Sequence, residues 1–353
     1  MRSSDSSVVL LVRHGPGRGR ISSYNQPLLE HLASTAPALY ARLRLHETGA
    51  EPPRLDDVRA VVFWLGDPLR ERYPECFAHA SEIAGRARLL GIPIVNAPEA
   101  LSNTIKSVQA RRWCDAGIPC APSIRCDDAD ALRRAVDAAA YPIFVRADLL
   151  HAQRQMTVYR TRADAEALLR GPLTFPLVVV GFVDTRADYA ALGSSVWSRL
   201  YHKRRAFVLG DEVLAYHIYF SADPIVGGAA STCSRYAGRR RHLAPLARIL
   251  PLDRACLAAD YDYWRAAPPH AELLRRATRA LDLDYVAIDY AVRADGTAVL
   301  WEANPYPFIP REWHQMPLAR ERRLAQRIPA LFTSVGGYFE RLLAGTPSAV
   351  AVM

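Results

Sequence analysis

The chain has 353 residues, half of them apolar and 23% charged, which is the composition of a globular protein with room for roughly two or three domains. This excludes a disordered chain, a collagen and a coiled-coil rod. No apolar run approaches the roughly 18–20 residues of a membrane span, and Val8–Val12 is too short for a signal-peptide core, so a soluble, cytoplasmic protein is expected. The net charge of +9 has an uneven origin: 43 of the 45 basic residues are Arg, and the two Lys are Lys106 and Lys203. A compact ammonium and a planar fork are not interchangeable, so a Lys that persists among so many Arg marks a position worth following. The six cysteines form no CxxC pair, which argues against a zinc ribbon and a redox motif.

In chain order, Val8–Val12 reads as a buried strand and Gly15-Pro16-Gly17-Arg18-Gly19 as a loop. A helix is expected over Pro27–Leu45. Strands follow at Val58–Leu65 and Ile92–Val95, separated by helical spacing over Glu75–Leu90. Strands alternating with helices predict an open parallel α/β domain over residues 1–98. The glycines after the first strand lack G-x-G-x-x-G spacing and enclose Pro16, which argues against a dinucleotide site. Asn103 is expected to cap a helix through Asp115, and Asp127 or Asp128 another through Ala140.

Beyond this point the pattern turns antiparallel. Tyr141–Arg146 and Met156–Arg160 read as paired strands, and Phe175–Val183 is strongly β. Arg205–Leu209 and Val213–Phe220 flank a Gly210-Asp211 turn, and Tyr285–Val292 and Ala298–Glu302 flank an Asp295-Gly296 turn. Residues 141–304 therefore read as α+β. The tail from Met316 to Leu343 is expected to be helical, with Arg on one face and Leu, Ile and Phe on the other.

The segment YVAIDYAVRADGTAVLWEANP, residues 285–305, carries the most chemistry. Strand alternation puts Ala287, Asp289 and Ala291 on one face, and Glu302 and Asn304 on one face of the returning strand. Folding at Asp295-Gly296 brings Asp289 beside Glu302. Two carboxylates and an amide, without Cys or His, form a hard-oxygen set suited to Mg²⁺. The surrounding Ile288, Val299, Leu300 and Trp301 make the hairpin largely buried, and buried carboxylates need partners.

The spacing D-x12-E-x-N, with a DG turn inside it and Pro after the Asn, resembles the metal-binding hairpin of the ATP-grasp superfamily, which includes D-alanine–D-alanine ligase, glutathione synthetase and the ribosomal-protein glutamate ligases. Further segments are similar in the same order. Residues 95–119 (VNAPEALSNTIKSVQARRWCDAGIP) resemble the entry to the nucleotide-binding lobe, with Lys106 at the position of a phosphate-contacting Lys. Residues 141–146 (YPIFVR) resemble the strand ending in a second ATP-binding Lys, here Arg146. Residues 177–184 (LVVVGFVD) resemble the adenine hinge, so that Val180, Gly181, Phe182 and Val183 would supply backbone contacts and Asp188 would meet the ribose. Residues 203–210 (KRRAFVLG) resemble a basic-then-apolar strand whose cations reach the phosphates, which places Lys203 and Arg205 there.

The resemblance implies an ATP-grasp fold: an N-terminal parallel α/β domain over 1–98, a small lobe over 99–180, a large lobe with the metal site over 181–315 and a helical tail over 316–353, with ATP held between two α+β lobes. It implies one or two Mg²⁺, with Mn²⁺ as a substitute, on Asp289, Glu302 and Asn304. The implied reaction turns a carboxylate into an acyl phosphate for attack by an amine or thiol, with small biosynthetic substrates and release of ADP and phosphate. Many relatives dimerise, so a homodimer is compatible with the resemblance. The sequence departs from the pattern at Arg146, at Gly181, where the hinge carries a Glu, and at Ala287, where several peptide-type ligases carry an Arg. Arg235 and Arg239, in the basic stretch RYAGRRRH, are candidates to replace that cation. The competing readings are a small-molecule kinase on the same scaffold and a degenerate nucleotide-binding protein. Nucleic-acid binding is disfavoured because the basic charge is spread along the chain without a recognisable module.

Overall fold

The computed structural model of the protein describes residues 7–15, 25–150, 156–186, 200–221, 223–226, 251–307 and 326–345. In chain order these form β1 (Val8–Arg13), α1 (Gln26–Thr35), α2 (Pro37–Tyr40), β2 (Leu43–Glu47), β3 (Val58–Trp64), α3 (Leu69–Arg72), α4 (Pro74–Leu89) and β4 (Ile94–Val95). There follow α5 (Lys106–Asp115), β5 (Ser123–Cys126), α6 (Ala129–Ala138), β6 (Ile143–Ala147), β7 (Thr157–Tyr159), α7 (Arg162–Leu169) and β8 (Leu177–Gly181). The remainder is β9 (Tyr201–Leu209), β10 (Glu212–Ser221), α8 (Pro251–Arg265), α9 (Ala271–Arg279), β11 (Tyr285–Val292), β12 (Ala298–Asn304) and α10 (Arg327–Ala344). Among the described residues, no helix is long and apolar enough to cross a membrane.

Three four-stranded sheets result. The first is parallel in the order β2-β1-β3-β4, as alternation of strands and helices requires. The other two are antiparallel, in the orders β5-β8-β6-β7 and β10-β9-β11-β12. Fold class is therefore mixed, with a parallel α/β part and two antiparallel α+β parts.

Several sequence expectations are corrected. The helix expected over Pro27–Leu45 breaks at Ala36-Pro37, and Leu43–Glu47 is instead the parallel edge partner of β1. Proline at the start of α2 cannot donate to the preceding turn, which ends the first helix. Asn103 is not a helix cap. Residues Ala100–Thr104 form a 3₁₀ turn, and Asn103 donates to Leu281 O at 2.9 Å. Asp128 does cap α6, accepting from Ala131 N at 2.7 Å. The terminal helix begins with an Arg that is not on a solvated face: Arg327 is fully buried and pairs with Asp260 at 2.8 Å.

The cores explain how these sheets act together. One face of the first sheet (Leu10, Val12, Val61, Phe63) belongs to a cluster that continues into Ala206, Val208, Val286 and Ile288 of the third sheet. Its other face packs with α1, α10 and the Phe207, Leu209, Tyr285 and Ala287 end of the third sheet. The second sheet has a separate core with α6 and α7, built on Cys126, Val136, Ile143, Val145, Leu177 and Val179. Because side chains alternate along a strand, the opposite face, with Phe144, Arg146 and Val180, is left to line a cleft.

Asn96 ties the first sheet to the third. It sits at the end of β4 in the left-handed region, at φ 54°, and is fully buried. Its Nδ2 donates to Tyr285 O at 2.6 Å, and its Oδ1 accepts from Asp284 N and Tyr285 N at 3.0 and 3.1 Å. Asn tolerates this backbone and satisfies the start of β11. Asn96→Ala should cost about 3 kcal/mol or more, because it strands buried backbone groups. Asn96→Gly relieves the backbone but not the lost bonds, so it should remain nearly as unstable. Urea denaturation of the two variants checks this, and a loss below about 1 kcal/mol in both contradicts the assignment.

Candidate functional site

The antiparallel register sets a row of charged side chains across the third sheet. Asp289 of β11 stands opposite Arg205 of β9 on one side and Glu302 of β12 on the other. Alternation puts Lys203 on the same face of β9, two residues from Arg205. Asp289, only 1% exposed, accepts from Arg205 Nε at 2.6 Å and Nη2 at 3.0 Å, and from Lys203 Nζ at 2.8 Å. Burial alone raises the Asp289 carboxyl, but Arg205 and Lys203 outweigh it and hold the group below its ordinary value. The same pairing raises the Arg205 guanidinium against the opposing effect of burial.

Glu302 is compensated from α5 and from the second sheet. Lys106, the first residue of α5, reaches Glu302 Oε1 at 2.8 Å and is itself 5% exposed. Arg146 of β6 lies 3.7 Å from Glu302 Oε2. Asp148, two residues beyond Arg146, anchors α5 by accepting from Ser107 N at 2.8 Å and Ser107 Oγ at 2.7 Å. The fully buried Asp148 thus serves the first turn of α5 as a distant cap and brings Lys106 toward Arg146.

Most of these charged groups line one cleft between the second and third sheets. At one end stand Lys106, Arg146, Lys203, Asp289 and Glu302. At the other, Phe144, Val180, Val183, Tyr201 and Leu300 form an apolar wall. Phe182 stacks on Phe144 with ring centres 5.9 Å apart and meets Tyr201 edge-on at 6.0 Å.

The hinge expectation needs one correction. Val180 and Gly181 lie in a central strand, paired to Ser123 and Phe144 and to Ile143, and Gly181 N donates to Pro122 O at 2.8 Å. Their backbone groups are engaged in the sheet, and Phe182 and Val183 are the first residues of this segment past the ladder. A Cβ at Gly181 would make only an ordinary contact with the Pro122 ring, at 3.4 Å, so packing does not account for the Gly.

Asn304 shares the face of Glu302 but sits opposite Ala287, two pairs along the ladder from Asp289 and Glu302, and is half-buried. Ala287 is fully buried beside Phe207, Tyr285 and Tyr306, an apolar setting without room for an Arg. Asp188, Arg235 and Arg239 lie outside the described residues.

The thiol and the imidazoles at the described part of the site are not activated. Burial pushes the cleft thiol Cys120 up to about 11, with a smaller push from Cys114, so it is a thiol and not a thiolate at neutral pH. His202 lines the cleft, but burial, aided by Arg204, pushes it down to about 3, and its Nε2 accepts from Val292 N at 3.2 Å. His217 is likewise held neutral, by burial and then by Arg205, Arg327 and Lys203. Sequence reading passed over Gln109 and Asp148, which bind backbone around the site. The i, i+3 spacing of Gln109 from Lys106 was the available signal for the first.

No protein-family model matches the chain, and no curated protein matches it. Solved structures do. The chain has the ATP-grasp fold. It is similar to a D-alanyl-alanine synthetase A from Vibrio cholerae, at 14% identity and a TM-score of 0.54, over 97% of this chain and 98% of the other. A RimK domain ATP-grasp protein from Sphaerobacter thermophilus superposes at 15% identity and 0.52, over 94% of this chain and all of its own. The ATP-grasp ligase PsnB, complexed with minimal precursor, Mg and ADP, matches at 15% identity and 0.52, over 93% of this chain and 98% of its own.

Two buried neutral histidines predict acid sensitivity. In the unfolded chain each binds a proton near 6.5, and in the folded chain far below. Their stability contribution is complete above about pH 6.5 and falls with pH, by about 1.4 kcal/mol per pH unit for each. The urea midpoint should therefore decline from pH 7 to 5, and His202→Gln, which keeps an acceptor for Val292 N, should make the decline shallower. A pH-independent midpoint across this window contradicts the burial of these rings.

Proposed function

We propose that the protein is an ATP- and Mg²⁺-dependent ligase that activates a carboxylate as an acyl phosphate for attack by an amine or thiol. The observation that carries this reading is the polar end of the cleft. Two adjacent carboxylates on facing strands, Asp289 buried and Glu302 partly so, are held there by four cations from three different elements. The described lining thus carries more positive than negative charge, complementary to a nucleotide with its metal. The apolar lining includes Phe144, Tyr201 and Val183, side chains against which a purine base could pack. The similar ATP-grasp ligase PsnB adds support, since its structure is complexed with Mg and ADP.

The donor set fits Mg²⁺. Asp289 and Glu302 present hard oxygens on neighbouring strands, and Asn304 follows on the same face. When bound, the ion would supply charge neutralisation and orientation of the β- and γ-phosphates. Everything else falls to the chain's own groups. Lys203 and Arg205 now occupy both oxygens of Asp289, and Lys106 occupies Glu302. Nucleotide binding would draw these cations from carboxylate to phosphate, so that one set of charges is exchanged for another without bringing unpaired ions into the cleft. Phosphoryl transfer asks for positioning and charge neutralisation rather than a protein nucleophile, and the four cations supply the latter.

In the proposed reaction a substrate carboxylate oxygen attacks the γ-phosphorus as the bond to ADP breaks. An amine nitrogen then attacks the acyl carbon, phosphate leaves with its electron pair, and the amine proton passes to solvent. Arg235 and Arg239 remain proposals for stabilising that second step, as Asp188 does for the ribose. The division of the chain at 98, 180 and 315 remains a proposal. The apolar setting of Ala287 favours one second reading, a kinase that stops at the phosphorylated product, because no cation stands there to steady acyl transfer.

Incubation with Mg·ATP, carboxylic acids and amines should release ADP and phosphate together with a condensed product. A stable phosphorylated product alone decides for the kinase, and AMP with pyrophosphate contradicts both. Glu302→Gln should lower turnover at least about a hundredfold while the fold persists by circular dichroism. Wild-type turnover in that variant contradicts the metal assignment.

A further inference from the structure

β12 is the edge strand of its sheet, and it is irregular at the site. Asp289 faces Glu302 but Tyr290 faces Leu300, so Trp301 is an extra residue, a bulge immediately before the carboxylate. A bulge re-aims the neighbouring side chain and leaves backbone groups that the partner strand does not take. Here the outer edge is covered from α5 and the loop after it. Leu300 N donates to Pro119 O at 3.0 Å. Gln109, 2% exposed, does the rest: its Oε1 accepts from Ala303 N at 2.8 Å and its Nε2 donates to Trp301 O at 3.3 Å.

Gln109 thus holds the peptide groups on both sides of Glu302. A primary amide offers donor and acceptor on separate atoms of one uncharged tip, so it can serve both peptide groups at once. The same helix sends Lys106 to the Glu302 carboxylate, one turn away, so α5 grips this residue by both backbone and side chain. The N-terminus of α5 is in turn bound to the second lobe through Asp148, so the direction of Glu302 depends on where α5 sits.

We propose that Gln109 is a positioning residue that aims the Glu302 carboxylate at the metal of a bound metal–nucleotide complex. The proposal rests on the reading of the cleft as a metal–nucleotide site, and the test separates the two. Mn²⁺ is titrated into the full-length protein with a non-hydrolysable ATP analogue, and free Mn²⁺ is read by electron paramagnetic resonance. Wild type should take up Mn²⁺ with the analogue. Gln109→Met, which keeps the volume and removes both bonds, should bind Mn²⁺ about 10- to 100-fold more weakly, the range seen when a ligand's supporting hydrogen bonds are lost. Affinity for the analogue without metal should stay within about twofold, because Gln109 touches backbone and not phosphate. A circular dichroism melt establishes that the variant folds. If it does not, Gln109→Asn, with the amide withdrawn by one methylene, should show the same loss of Mn²⁺ affinity.

Unchanged Mn²⁺ affinity in a folded variant overturns the proposal and leaves the ligase reading standing. Equal losses of Mn²⁺ and of metal-free analogue also overturn it, because they mark a general disturbance of the cleft. Failure of wild type to take up Mn²⁺ with the analogue overturns the ligase reading, and this proposal with it.

Discussion

Asp289 and Glu302 are carboxylates placed where water hardly reaches, and a buried ion without compensation costs several kcal/mol. Compensation comes from Lys203 and Arg205 on the neighbouring strand, from Lys106 at the start of α5 and from Arg146 on the second sheet. Each of these elements therefore has a required position. The strand register that pairs Asp289 with both Arg205 and Glu302 is one consequence, and the anchoring of α5 by Asp148 is another. The site is held by the same ion pairs that a nucleotide would have to rearrange.

The division of the core suits this. The first and third sheets share apolar clusters and the Asn96 clamp, so they behave as one support for β11 and β12. The second sheet has its own core, and its links to that support include α5 and the ion pair from Arg146 to Glu302. Helix α5 is bound at its start to Asp148, in its middle to β12 through Gln109, and further along to α9 through Trp113 Nε1 and Ala277 O at 3.0 Å. A ligand between the sheets would lie against this helix, which carries the position of one lobe to the carboxylate of the other.

Much of this was legible in the residues. Alternating hydrophobicity located the strands of the hairpin, the Asp295-Gly296 turn fixed how they meet, and the two lysines among 43 arginines both fall on the cleft wall. Local periodicity failed where a distant partner decides the outcome. Leu43–Glu47 carries no signal that separates an edge strand from the end of a helix, and it is a strand because β1 lies beside it. Arg327 looks like a solvated helix residue until Asp260, 67 positions away, is brought to 2.8 Å.

The sequence by itself determined the types of residue and their order: hard oxygen donors in a tight hairpin, a basic strand before it and a lysine at the head of a helix. Strand alternation and turn chemistry act over a few residues, so these features can be read one segment at a time. Only the tertiary structure decided that Trp301 bulges, that Gln109 spans the peptide groups around Glu302, and that the Val180 and Gly181 backbone is consumed by neighbouring strands. Each of those depends on hydrogen bonds between segments far apart in the chain, and no local pattern encodes which distant partner will arrive.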